Sequence, residues 1–237
     1  MALTSRPFLA VPDSELREVG RVSSSRETVR SRIVDAGLIP AVRTTSEDDL
    51  LFTADALVES GISILEISST FPGFLNLIER ACQEFPDLIV GAGNLFDAKM
   101  ARRSLDAGAT FLTSDGLVPE VVEIAIEREV VVLPGALTPK EVIDVWKTGA
   151  EFVKVTPCDA MGGESYMRTL KVAFPQVRFV ASGGITQQNV SGYIQAGASA
   201  VAVGKDLIPA EAIRLRQKQR IQEMVRRFVT SIDSARG

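Results

Sequence analysis

Residues 130–157 read VVVLPGALTPKEVIDVWKTGAEFVKVTP, and they hold one full unit of the repeat that decides the fold. A short apolar run at 130–133 suits a buried strand. Thr138-Pro139-Lys140-Glu141 then has the form of a capping box, with proline at the first helical position. The helix it opens closes at Gly149, and a second apolar strand follows at 152–155.

Working outward in both directions, the same alternation recurs. Towards the N-terminus, strands are expected at 38–42, 62–67, 88–90 and 110–113. The helices between them are expected at 46–61, 74–85, 97–107 and 118–128. Ser46, followed by Glu47, Asp48 and Asp49, is an N-cap with acids at the positive end of a helix. Towards the C-terminus, a helix at 164–173, a strand at 177–181, a helix capped by Thr186 and ending at Gly197, and a strand at 200–203 follow. A long closing helix spans 209–232, with a break allowed inside it. The junctions Gly108-Ala109, Gly149-Ala150 and Gly197-Ala198 repeat one helix-to-strand turn. About eight strand-then-helix units with continuous apolar strands imply a parallel sheet covered by helices. The expected fold is α/β, a (β/α)8 TIM barrel with an extra N-terminal helix at 25–36; an open doubly wound sheet is the rival. One domain is expected over 25–237, preceded by a polar, loosely packed arm at 1–24.

Composition narrows function. The chain has no histidine, which excludes Ser-His-Asp triads, Cys-His dyads and His-ligated metal centres. Its net charge of -4 gives no reason to expect nucleic acid or an acidic membrane as a partner. Cys82 and Cys158 lie far apart in no metal-binding spacing, so no metal or other cofactor is expected, and free thiols suggest a cytoplasmic location. No apolar run reaches membrane-spanning length, and the first residues lack the pattern of a secretory signal.

In an α/β barrel, chemistry sits at the C-terminal ends of strands. Period-two alternation puts Phe152, Lys154 and Thr156 on one face and Val153 and Val155 on the other. The valines suit the helix side, so Lys154 points inward. Burial disfavours an ammonium, and a neutral amine can attack a carbonyl to form an imine. The competing reading is a strand-end lysine reaching solvent. Glu66 shares a face with Ile62 and Ile64, which makes it a candidate for proton transfer; pairing with a cation such as Arg43 is the competing reading. Two glycine-rich turns, Ser182-Gly183-Gly184 and Gly204-Lys205, follow the late strands, where this fold often holds phosphate. Gly91-Ala92-Gly93 resembles half of a dinucleotide fingerprint but lacks its third glycine, and reads as a turn.

Taken together and in order, several motifs resemble the 2-keto-3-deoxy-6-phosphogluconate aldolases and their phosphogalactonate relatives. These are Leu65-Glu66-Ile67, Gly91-Ala92-Gly93, Leu133-Pro134-Gly135, Lys154 with Pro157, Gly162-Gly163, Ser182-Gly183-Gly184-Ile185, and Gly204 with Leu207-Ile208-Pro209. The resemblance covers about residues 33–212. It implies a class I aldolase working as a homotrimer on a small 2-keto acid, without metal, through a lysine imine at Lys154 and a glutamate acid/base at Glu66. It adds Arg43 as a carboxylate clamp. Gly91, Asn94, Asp115, Pro134, Thr156, Ser182, Gly183, Gly184, Gly204 and Lys205 complete the expected substrate-binding set. The chain departs from the phosphogluconate enzymes at five of the family's positions. Thr70 stands for an arginine, Asn94 for a threonine, Asp115 for a proline, Thr156 for an aromatic and Lys205 for a serine. A sugar-phosphate epimerase-like barrel and a non-catalytic keto-acid-binding barrel remain the alternatives.

Overall fold

The computed structural model describes residues 25–237; the expected arm at 1–24 lies outside the described residues. Nine parallel strands form one sheet in the order β5-β4-β3-β2-β1-β9-β8-β7-β6. They are β1 (Leu38–Val42), β2 (Ile64–Ser68), β3 (Ile89–Gly93), β4 (Phe111–Thr113), β5 (Val131–Leu133), β6 (Gly135–Ala136), β7 (Val153–Val155), β8 (Phe179–Ser182) and β9 (Ala198–Val203). β5 pairs with β4, and β6 pairs with β7. These two strands are halves of one stave interrupted at Pro134, so the sheet curls into a nearly closed barrel of eight staves. Proline has no N–H for the ladder, but the Pro134 carbonyl accepts from the Lys154 backbone N–H at 2.9 Å.

Ten α-helices among the described residues accompany the strands: α1 (Arg26–Ala36), α2 (Glu47–Glu59), α3 (Phe74–Glu84), α4 (Ala98–Asp106), α5 (Pro119–Glu127), α6 (Pro139–Lys147), α7 (Gly163–Ala173), α8 (Val190–Gln195), α9 (Ala210–Arg214) and α10 (Lys218–Arg236). Ser25 caps α1, Ser46 caps α2, and the Thr138–Glu141 capping box opens α6, each with its side chain on a backbone N–H. Strand alternation divides the core in two. Leu65, Val90, Leu112, Val132, Val153 and Val155 pack outward against the helices. Ile39, Ile64, Ile89, Phe111, Val131, Leu133, Phe152 and Val180 fill the barrel, and Val29 and Ile33 of α1 join this inner cluster. The extra helix therefore plugs the N-terminal end. Each fully buried aliphatic side chain contributes roughly 1.5–3 kcal/mol, so the plug is held chiefly by these two residues.

Polar contacts lock the plug in place. Glu151, just before β7, pairs with Arg26 through one oxygen and accepts from the Val132 N–H at 3.2 Å through the other. At the other end of α1, Arg236 of α10 donates to the carbonyls of Asp35 at 2.6 Å and Val34 at 2.5 Å.

The structure differs from the sequence reading in three places. Gly91-Ala92-Gly93 is strand, not turn. Its glycines admit close neighbours: an added Cβ at Gly91 would lie 2.2 Å from the Phe111 ring. Thr186 does not open a helix. The Asn189 carboxamide accepts from the Thr186 N–H and donates to the Gly184 carbonyl, which curls the segment into a turn, and α8 starts only at Val190. The closing helix takes the break that the sequence allowed, between α9 and α10, where Arg216 has a φ of 51° and its guanidinium lies 5.0 Å over Phe52. The short strand β6 was not expected, because Pro134 hides it.

Replacing Glu151 by Ala leaves the Val132 N–H without its acceptor and frees Arg26. The expected loss is about 1–3 kcal/mol of stability, read as a lower urea midpoint with an unchanged m-value; an unaltered midpoint would show that α1 is held by apolar packing alone.

Candidate active site

The inner face of the barrel changes character towards its C-terminal end. Along β2, Ile64 is followed two residues later by Glu66, then Ser68. Along β4, Phe111 is followed by Thr113, and on β7 Lys154 follows Phe152. Apolar residues fill the lower layer and polar ones stand directly above it, as alternation requires. Lys154 is 3% exposed and Glu66 5%, so the lysine does not reach out to solvent.

The Lys154 ammonium has two partners. Nζ donates to Asp115 Oδ1 at 2.8 Å and to Thr113 Oγ1 at 3.3 Å. The Thr113 hydroxyl in turn donates to Glu66 Oε2 at 3.1 Å. The lysine and the glutamate, found separately in the sequence, are thus joined through a hydroxyl. Glu66 does not pair with Arg43; its carboxylate fits against β3, where a Cβ on Gly93 would stand 2.2 Å from Oε1. Thr113 was missed in the sequence. Its signal was present, since counting two from the buried Phe111 puts a hydroxyl inside the barrel.

A second polar arm leaves Lys154 towards the mouth. Asn94 Nδ2 donates to Asp115 Oδ2 at 2.6 Å, and the Ser68 hydroxyl donates to Asn94 Oδ1 at 2.7 Å. Ser68 Oγ also lies 2.7 Å from Thr70 Oγ1. Asn94 takes a φ of 58°, in the left-handed region that asparagine tolerates better than most residues. Burial pushes the Asp115 carboxyl up, but the Lys154 ammonium opposes this by charge and by hydrogen bond. With the Asn94 donor and the more distant charge of Arg43, it brings the group below its ordinary value.

Apart from Gly91, within β3, the remaining expected residues lie at or just past the C-terminal ends of the strands. Arg43 is exposed just past β1, and its charge is felt at Asp115. Gly91 and Pro134 are buried beside the pair, and Thr156 is half-buried beyond β7. The turn Ser182-Gly183-Gly184 is stitched to the loop after β7: Cys158 N–H donates to Ser182 O at 2.8 Å, and Asp159 N–H to Gly183 O at 3.1 Å. Gly183 and Gly184 both have φ near 80°, at 81° and 83°. At Gly184 an added Cβ would meet Asp159 Cβ at 2.2 Å. Gly204 opens a turn whose carbonyl accepts from Leu207 and Ile208, and Lys205 beside it is exposed. Arg43 and Lys205 are exposed and make no ion pair with a described residue. Burial raises the Cys158 thiol to about 11, so it is no nucleophile near neutral pH.

A buried amine beside a carboxylate and a hydroxyl relay can form an imine and move protons around it. Proteins of known sequence and structure resemble the chain over most of its length. A family model described as KDPG and KHG aldolase matches residues 29–224. The 2-dehydro-3-deoxy-phosphogluconate aldolase of Pseudomonas aeruginosa is 31% identical over 160 residues, 68% of this chain and 73% of that protein. The KHG/KDPG aldolase of Escherichia coli is 27% identical over 204 residues, 86% and 96% of the two chains. Among solved structures, KDPG aldolase from Legionella pneumophila, with pyruvate captured at low pH as a covalent carbinolamine, superposes with a TM-score of 0.78 at 27% identity. That match covers 83% of this chain and 95% of the other. With its barrel, its buried lysine–glutamate relay and a family match spanning most of its length, the chain belongs to the KDPG and KHG aldolase family.

Proposed function

We propose that the chain is a class I aldolase that cleaves a 2-keto-3-deoxy sugar acid of the 6-phosphogluconate type. The products are pyruvate and an aldehyde such as glyceraldehyde 3-phosphate. The observation that carries this is the buried Lys154 amine at the end of β7, connected through Thr113 to Glu66. The covalent pyruvate adduct in the Legionella pneumophila relative supports it.

Lys154 Nζ attacks the C2 ketone, and loss of water gives a protonated imine. Glu66, through the Thr113 hydroxyl or a bound water, takes the C4 hydroxyl proton as the C3–C4 bond breaks. The imine accepts the bonding electrons as an enamine. Protonation at C3 and hydrolysis then release pyruvate. Arg43 holds the substrate carboxylate by a two-pronged contact. Gly91, Asn94, Pro134 and Thr156 shape the pocket around the keto acid. The turns at Ser182-Gly183-Gly184 and Gly204-Lys205 take the distal phosphate through backbone N–H groups, with Lys205 adding a point charge. No helix among the described residues is long and apolar enough to cross a membrane. A cytoplasmic homotrimer is the assembly this reading carries, and the exposed Phe96 offers apolar surface for it; light scattering of the purified protein tests the trimer.

Borohydride reduction in the presence of pyruvate should leave a stable adduct on Lys154, located by peptide mass mapping. Lys154→Ala should lower kcat/KM by at least about a thousandfold, and substantial residual turnover would remove the imine from the mechanism. Comparing turnover of phosphorylated and unphosphorylated substrates decides the role of the two glycine turns.

Gly93→Ala drives a methyl group into the Glu66 carboxylate and should displace it. A loss of roughly a hundredfold in kcat is expected, while pyruvate trapping on Lys154 is retained. Wild-type turnover in this variant would mean that the position of Glu66 is not critical.

A further inference from the structure

Forming an imine from an ammonium requires two protons to leave the nitrogen. Of the three N–H protons on Lys154, one stays on the protonated imine. The other two end on the carbonyl oxygen, which departs as water. Nζ meets two acceptors that point in different directions. One is Thr113 Oγ1, backed by Glu66; the other is Asp115 Oδ1, in direct contact at 2.8 Å.

We propose that Asp115 is a second proton carrier at the imine nitrogen, working beside Glu66 in forming and hydrolysing the Schiff base. This rests on the Schiff-base reading of Lys154 given above. As the ketone is attacked, the nitrogen lone pair forms the C–N bond, and one ammonium proton passes to Asp115 Oδ1. A second passes through the Thr113 hydroxyl to Glu66. Both are then delivered to the former carbonyl oxygen, the C–O bond breaks, and water leaves. The carboxylates return to their ionised forms; nitrogen is neutral in the carbinolamine and regains its positive charge in the protonated imine as water leaves. The imine N–H that remains faces Asp115, whose negative charge stabilises it.

The setting of Asp115 fits this role better than that of a loose mouth residue. Its second oxygen is held by Asn94, which is itself held by Ser68, so swinging from the nitrogen would break the Asn94 bond as well as the one to Nζ. Its backbone presses on Gly135, where an added Cβ would lie 2.1 Å from the Asp115 carbonyl carbon. Its carboxyl lies below the ordinary range, so it is ionised and ready to accept in the free enzyme. The side chain is 59% exposed, open to the mouth of the barrel. A substitution there removes little packing, and a small carboxylate added to the solution can reach the vacated place.

The test is the rate of pyruvate adduct formation, read by rapid mixing and quenching into borohydride. Asp115→Ala should form the adduct about a hundredfold more slowly than the wild type. Exchange of the pyruvate methyl protons, counted per adduct formed, should change far less, because that step belongs to Glu66. Added formate should restore the adduct rate of Asp115→Ala in proportion to its concentration, and Asp115→Glu should recover part of it without formate. A wild-type adduct rate in Asp115→Ala overturns the proposal. So does a slow rate that formate leaves unchanged in a variant whose circular dichroism and melting match the wild type, since that marks a structural ion pair. If Asp115→Ala does not fold, the adduct rate of Asp115→Asn decides by the same criterion. Failure of the wild type to trap pyruvate at all would instead remove the Schiff-base reading on which the proposal stands.

Discussion

An ammonium held inside a barrel is the constraint from which the rest of the site follows. Taking such a charge out of water costs several kcal/mol unless nearby groups replace its hydration. Lys154 is supplied with a carboxylate and a hydroxyl, and the carboxylate and hydroxyl have further partners of their own. These groups need room, and glycines make it. Gly93 clears the space filled by the Glu66 carboxylate, Gly135 lets the Asp115 backbone pass over β6, and Gly91 receives the Phe111 ring beneath the polar layer. Gly93 and Gly135 are therefore consequences of the polar cluster, and Gly91 of the aromatic ring beneath it.

The barrel gives the cluster a direction. Below Lys154 and Glu66 the interior is filled with Ile64, Phe111, Phe152 and their neighbours, and Val29 and Ile33 of α1 seal the bottom. Among the described residues, Asp115, Arg43 and Lys205 are exposed past the C-terminal ends of their strands. The apolar floor also lowers the local polarity around the amine, so hydrogen bonds and charges there act more strongly than they would in water. The same α1 plug that contributes apolar burial thus sets the dielectric conditions of the site.

What could be read from the sequence was whatever periodicity carries. Lys154 and Glu66 stood out because each interrupts an apolar face at period two, and the strand–helix alternation gave the barrel and its N-terminal helix. Thr113 obeys the same period but escaped notice, because threonine is common in strands and its hydroxyl announces nothing. Gly91-Ala92-Gly93 was read as a turn because paired glycines usually mark one, whereas here close packing demands them within a strand. Asp115 and Asn94 lie in loops, where no period applies, and only the folded chain brings them to the amine. That is why the sequence marked Asp115 as a substrate contact and gave no sign of its bond to Lys154.

The departures from the phosphogluconate pattern are not independent of one another. Thr70, Asn94 and Asp115 belong to one connected chain: Thr70 meets Ser68, Ser68 donates to Asn94, Asn94 donates to Asp115, and Asp115 accepts from Lys154. An aspartate without Asn94 would keep a carboxylate oxygen beside the amine with no donor, and an Asn94 without Asp115 would lose the acceptor for its amide. Either half-change removes the Asn94–Asp115 hydrogen bond that holds the arm together. Contacts linked in this way are expected to couple strongly rather than add. Three of the departures from the phosphogluconate pattern are thus linked by hydrogen bonds into one arm that reaches the Lys154 nitrogen, rather than standing as three separate substitutions.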